Sequence, residues 1–174
     1  MEQPDEEIYF KISIGDASFI ILNSEMPEKL GLIADTQFEF LNKTLPNLST
    51  KYNFVFAHRP FYNINGIGRH HKDSFGKYPE HRDMLWALFK NANIISVFVG
   101  HEHFYNRSNF EGITQFITGG GGAPLYADFR SGGFYHFVLI DKVEERTLKY
   151  KTIALKEDQK TFFTADEGFL NVPK

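Results

Sequence analysis

Apolar residues fall along this chain in short runs whose period changes from two to about 3.6, so strands and helices can be read in turn. Ile8 to Ser13 and Ser18 to Asn23 flank Gly15-Asp16-Ala17, which predicts a β-hairpin turning at the glycine. Thr36 with Glu39 three residues later is a capping-box pattern. Phe38, Leu41 and Leu45 then recur at helical spacing until Pro46, which predicts a short helix. Asn53 to Ala57 reads as a strand. Phe61 to Tyr78 is a stretch of Asn, Gly, His and Lys without a period, of a length more often functional than idle. A helix is expected from Pro79 to Asn91, with Met84, Leu85, Leu88 and Phe89 facing inward and Pro79-Glu80 suited to its first turn. Ile94 to Val99 follows as a strand. Gly112 to Thr118, Phe134 to Asp141 and Thr147 to Leu155 are further strands, the last two joined by the charged turn Lys142-Val143-Glu144-Glu145-Arg146. Lys156 to Lys174 reads as a strand extension or a partly ordered tail. This order predicts one α/β (α+β) domain over residues 1–174, with much antiparallel strand toward its C-terminal end.

Composition adds a sizeable core: of 174 residues, 42% are hydrophobic and 16% aromatic. A net charge of -3, with lysines and arginines scattered along the chain, argues against a nucleic-acid partner. The apolar runs fall well short of the about 20 residues needed to span a bilayer, so no membrane partner is expected. The opening Met1-Glu2-Gln3-Pro4-Asp5-Glu6-Glu7 is acidic where a secretory leader would be basic and then apolar, and the compartment stays open. With no cysteine, any metal must be held by nitrogen and oxygen donors.

The chemistry gathers at two junctions. Phe54-Val55-Phe56-Ala57 runs into His58-Arg59-Pro60, and Ile94-Ile95-Ser96-Val97-Phe98-Val99 runs into Gly100-His101-Glu102-His103. Both place histidine at the end of a buried strand, where ligands gather in open sheets, so His58, His101 and His103 can converge although distant in sequence. Histidines at i and i+2 face opposite ways in a regular strand, but after a glycine the backbone can turn to aim both inward. A lone His-x-His is weak evidence, because most histidines are hydrogen-bonded residues of cores and surfaces. Two such junctions, with His70-His71 in the intervening loop, make a metal site a serious candidate. His81 and His136 belong to neither junction and read as structural.

These residues carry a resemblance. Phe56-Ala57-His58-Arg59-Pro60-Phe61-Tyr62-Asn63 resembles the strand-H-x-P-x-Y-N motif of calcineurin-like metallophosphoesterases of the purple acid phosphatase branch, and Gly100-His101-Glu102-His103-Phe104-Tyr105-Asn106-Arg107 resembles its G-H-x-H-x-Y-x-R motif. The likeness runs from Ile21-Leu22-Asn23-Ser24-Glu25 through Gln37-Phe38-Glu39-Phe40-Leu41 to Thr118-Gly119-Gly120-Gly121-Gly122-Ala123-Pro124-Leu125. It implies part of the layered β-sandwich flanked by helices of metallo-dependent phosphatases. It also implies hydrolysis of a phosphate mono- or diester by metal-activated hydroxide at a dinuclear centre of divalent or trivalent ions such as Fe, Zn or Mn. In that family His58 and His101 would hold one ion and His103 the other, while His70 or His71 would contact phosphate or protonate the leaving oxygen. Arg59 and Arg69 are candidates for neutralising phosphate oxygens, since a guanidinium suits bidentate binding. Tyr105 is a further substrate-binding candidate, and with Arg107 it would orient the site or close the sheet. Tyr62, Tyr126 and Phe104 read as pocket lining or, more simply, as core. The four glycines 119–122 read as a sharp turn near the site in preference to a phosphate nest.

The departure matters as much as the match. The family takes its remaining ligands from Asp-x-His, Gly-Asp and Gly-Asn-His motifs in an upstream half, and none of these is present; Gly15-Asp16 is a turn pair. Without a bridging carboxylate two nearby metal ions repel each other. The chain therefore resembles the C-terminal half of such a domain: a fragment of a longer enzyme, a chain that pairs with a missing N-terminal half, or a non-catalytic domain that binds one structural or regulatory metal or docks to another protein. A single-metal hydrolase would need Glu102 or Asp73 as fourth ligand or base. Half of a layered fold also predicts an uncovered sheet edge and self-association.

Overall fold

The computed structural model describes residues 8–64 and 73–173. Its described elements form three layers. The hairpin strands β1 (Phe10–Ile14) and β2 (Ala17–Ile21) lead into helix α1 (Asp35–Thr44), strand β3 (Tyr52–Ala57), helix α2 (Pro79–Asn91) and strand β4 (Ile94–Val99). Strands β5 (Tyr105–Phe110) and β6 (Ile113–Thr118) follow, and then β7 (His136–Glu144), β8 (Thr147–Leu155) and β9 (Phe162–Asn171).

Six strands make one sheet in the order β1-β2-β3-β4-β6-β5, in which β2, β3, β4 and β6 are parallel while β1 and β5 close the edges antiparallel. The two central strands are apolar almost throughout because both of their faces are covered; every residue of β4 is buried. On one face lie α1 and α2, packed through Leu41, Leu85, Phe89 and Trp86 onto Ile20, Val55, Val97 and Ile117. On the other face lies the three-stranded antiparallel sheet β7-β8-β9, whose middle strand β8 alternates buried and half-exposed residues as a one-face-buried strand must. Phe98, Phe116 and Tyr150 stack between the sheets at centroid distances of 5.0 and 5.2 Å.

Helix α2 and strand β4 have the predicted limits. The predicted capping box does not form: α1 starts after Ala34, without a side-chain cap. Gln37 instead turns its amide to Asn23, accepting from the backbone N at 2.7 Å and donating to the carbonyl at 3.0 Å. On α2 the buried side takes Trp86 in place of Met84, which is exposed, and the indole donates to the Phe110 carbonyl. The segment after Lys156 supplies β9, paired along β8.

The sandwich is closed at one end and hollow at the other. Between β2, β3 and β7 lies a cavity of about 750 Å³ walled by Phe19, Phe54, Phe56, Phe98, Val138 and Ile140. On β1, Phe10, Ile12 and Ile14 stand opposite Ile21, Phe19 and Ala17, so all six share the face that borders this cavity. The three β1 side chains are exposed. No described helix is long and apolar enough to cross a membrane.

Candidate metal centre

Parallel pairing of β3 with β4 sets Ala57 beside Val99, so the residues that follow each strand emerge side by side. The Gly100 N–H donates to the His58 carbonyl at 2.9 Å and carries the register one step beyond the sheet. His101 then adopts a left-handed backbone, with φ of 65°, which few side chains tolerate and which turns the chain sharply. The turn brings His101 Nδ1 to 3.0 Å from His58 Nε2, with the rings nearly perpendicular at 77°. It also sends Glu102 inward, to 2% exposure, where the Tyr126 hydroxyl lies 3.1 Å from its carboxylate and 2.9 Å from the His101 carbonyl. Gly119 is fixed by the same turn, because a Cβ there would stand 2.2 Å from the Glu102 carbonyl oxygen.

His103 lies apart from that pair. Its Nδ1 is 2.9 Å from the Pro124 carbonyl and its ring packs on Tyr126. A carbonyl only accepts, so Nδ1 carries a proton, and whenever the ring is neutral its lone pair is on Nε2, the arrangement common in metal-binding histidines. Among the described residues no three His, Asp or Glu side chains are grouped so as to hold a metal ion. The donor set therefore fits one ion in part. With metal–nitrogen bonds of about 2.0–2.1 Å, two ligand nitrogens on one ion lie about 3 Å apart, as His58 and His101 do. The remaining ligands of a closed shell are not among the described residues.

The other candidates divide. Arg69, His70 and His71 lie outside the described residues. Arg59 is buried at 6% exposure, and its guanidinium is committed to Glu25 through Nε to Oε1 at 2.6 Å and Nη2 to Oε2 at 2.8 Å, with Nη1 donating to the Asp73 carbonyl. Burial pushes the Glu25 carboxyl up, but hydrogen bonds from Arg59 and Ser24 and the Arg59 charge outweigh it, and its pKa falls below the usual carboxylate value. Tyr105 points across the sandwich: its hydroxyl donates to Asp166 at 2.7 Å, and Arg107 Nε donates to the same oxygen at 2.7 Å. Burial, with Asp166 adding to it, raises the Tyr105 phenol well above its ordinary value. Tyr105 and Arg107 tie β5 to β9.

His81 donates nothing to the centre; its Nε2 accepts from the Ile33 N–H at 3.3 Å. His136 is buried between Thr118 Oγ1 and the Phe134 carbonyl, each 3.0 Å away. Glu25 and Asp166 organise the surroundings; Glu25 stands in the resembling segment but was given no role there, and Asp166 lies in no motif, since each meets its arginine across a long stretch of sequence.

No protein-family model matches this chain, and no curated protein sequence matches it. Solved structures do. A purple acid phosphatase from yellow lupin (Lupinus luteus) seeds superposes with a TM-score of 0.72 at 18% identity, over 98% of this chain and 34% of that one. PhoD superposes at 0.65 and 17% identity, over 95% of this chain and 45% of that one. GAP50, the anchor in the inner membrane complex of Plasmodium, superposes at 0.63 and 14%, over 95% of this chain and 54% of that one. At these identities the likeness establishes the fold alone, the α+β architecture that these structures share. The chain spans about a third to a half of the length of these structures.

Proposed function

We propose that this chain is the C-terminal portion of a metal-dependent phosphoesterase domain that hydrolyses a phosphate mono- or diester. The observation that carries the reading is the approach of His58 to His101, 3.0 Å between ring nitrogens, at the ends of adjacent parallel strands. Both stand in the motif positions where the resemblance expects ligands to one ion. His103, with its Nε2 lone pair fixed by the Pro124 carbonyl, would serve the second ion. Iron, zinc or manganese suits such nitrogen donors. A bound metal pair would supply a hydroxide nucleophile at neutral pH and neutralise phosphate oxygens. The chain's own residues aim the imidazoles: the Gly100 N–H fixes the His58 carbonyl and the Pro124 carbonyl fixes His103 Nδ1. His70 or His71 is the candidate for contacting phosphate or protonating the leaving oxygen, with Arg69 as a candidate phosphate ligand.

Carboxylate ligands for this centre would come from a preceding N-terminal half, in the same polypeptide or as a separate partner. The hollow end of the sandwich supports that reading, because its apolar walls and the exposed β1 face leave room for further strands. The test is metal content by plasma mass spectrometry after dialysis against trace Zn²⁺, Mn²⁺ and Fe, together with hydrolysis of p-nitrophenyl phosphate. One weakly held ion and no turnover for this chain, with turnover gained on adding a half that carries the aspartate motifs, is the expected result. Failure of His58→Ala and His101→Ala to alter metal content would overturn the assignment. A chain that binds one ion and gains no turnover would be a non-catalytic domain with a structural or regulatory metal.

A further inference from the structure

Resting on the reading of His58 as a metal ligand, we infer that Ser24, Glu25 and Arg59 form a positioning unit for His58, and that Arg59 does not contact phosphate. The peptide joining His58 to Arg59 is held at both of its polar atoms. Its carbonyl accepts from the Gly100 N–H at 2.9 Å, and its N–H donates to Ser24 Oγ at 3.0 Å. Ser24 Oγ in turn donates to Glu25 Oε1 at 3.0 Å, the oxygen that also accepts from Arg59 Nε. The peptide plane that sets the direction of the His58 side chain is therefore bonded to Gly100, just past β4, on one side and to the loop after β2 on the other.

That loop is itself anchored. Leu22 N–H donates to the Phe56 carbonyl at 2.8 Å, the Ser24 carbonyl accepts from Gly31 N–H at 3.0 Å, and Glu25 N–H donates to Asn23 Oδ1 at 2.9 Å. Successive side chains at a strand end alternate in direction, so Arg59 turns inward to Glu25 while His58 lines the cavity. Three of the guanidinium nitrogens are used by Glu25 and Asp73, which leaves a fork that is filled before any anion arrives.

The experiment compares wild type with Ser24→Ala, Glu25→Gln and Arg59→Lys. It reads long-range ¹H–¹⁵N spectra of the imidazoles in the metal-free protein, Co²⁺ affinity by calorimetry, and inorganic phosphate affinity at saturating Co²⁺. Supporting groups of metal-bound histidines typically change affinity about 10- to 100-fold, so a Co²⁺ loss of that size is expected. The His58 and His101 ring signals should shift, while those of His136 stay in place. Arg59→Lys, which keeps the charge and loses the fork, should behave like Glu25→Gln and unlike wild type. Unshifted His58 signals with wild-type Co²⁺ affinity would overturn the inference, as would a loss confined to phosphate affinity. Wild type that binds no Co²⁺ would sink the metal reading, and the metal-free ring spectra would still decide the positioning role. Glu25→Gln preserves volume and one acceptor, and is read if Arg59→Lys does not fold.

Discussion

Truncating Phe116 to alanine should cost far more than truncating Phe19, although both rings lie between the two sheets. Phe116 has no exposed surface and is stacked on Phe98 at 5.0 Å and against Tyr150 at 5.2 Å, in the closed end of the sandwich. Removing it takes away the buried ring and leaves an enclosed void that β4, β6 and β8 cannot collapse upon, which places the loss at about 3–5 kcal/mol. Phe19 already borders the 750 Å³ cavity and is only half-buried. Its truncation enlarges an existing space and gives up part of a transfer term, about 1–2 kcal/mol. Urea denaturation followed by circular dichroism reads both values, and for a chain of this size each kcal/mol corresponds to about 2–4 °C in Tm. Equal losses at the two positions would mean that the hollow end is packed in solution, and would refute the asymmetry on which the open-sandwich reading rests.

Asp166→Asn should loosen β9 from β5 by about 1–3 kcal/mol, since two hydrogen bonds lose their charged acceptor. The same change should bring the Tyr105 phenol part of the way back toward its ordinary value, read by ultraviolet titration; an unmoved titration would place the push in burial alone. Burial holds the His136 imidazole, and more weakly buried His81, below the ordinary histidine value of 6.5. The unfolded chain therefore binds more protons, so this contribution is complete above pH 6.5 and is lost as pH falls through the depressed folded values. Melting curves from pH 7.5 to 5 should show falling Tm, with a shallower slope in His136→Asn. The exposed β1 face predicts self-association, relieved by Phe10→Lys with Ile12→Lys; light scattering that finds a wild-type monomer at high concentration would count against it.

The parts of the fold legible in the sequence were those fixed locally. Pro79 and Glu80 at a helix start, and the unbroken apolar run of β4, leave little choice of element or limit. Strand β5 was not legible, because Tyr105-Asn106-Arg107-Ser108-Asn109-Phe110 is a polar edge strand that exists through its pairing with β6. Thr36 and Glu39 had the spacing of a capping box, yet the chain gives the start of α1 to Ala34 and uses Gln37 to grip Asn23, a choice made by a contact 14 residues away. At the candidate centre, the meeting of His58 and His101 was legible because both follow strands that must lie in the sheet interior. The separation of His103 from them was implied only by the resemblance, which gives it to the other ion; strand-end position alone brings all three together, and the left-handed turn at His101 and the Pro124 carbonyl set His103 apart.

The hollow end of the sandwich and the incomplete donor set describe one absence from two sides. His58 and Gly100 stand at the rim of the cavity whose floor is Phe54, Phe56 and Phe98. A strand laid beside β7 to cover that floor would run along an edge of the small sheet that, among the described residues, pairs with no further strand, and its end would arrive next to the histidine pair. Apolar alternation would seat such a strand, and the residue just beyond it would be placed as His58 and His101 are placed, by the end of a buried strand. If the histidine pair holds metal as proposed, completing the core and completing the coordination shell would be a single event. On that ground metal affinity and resistance to urea should rise together when the completing segment is added, and a segment that raised one without the other would separate the two sides.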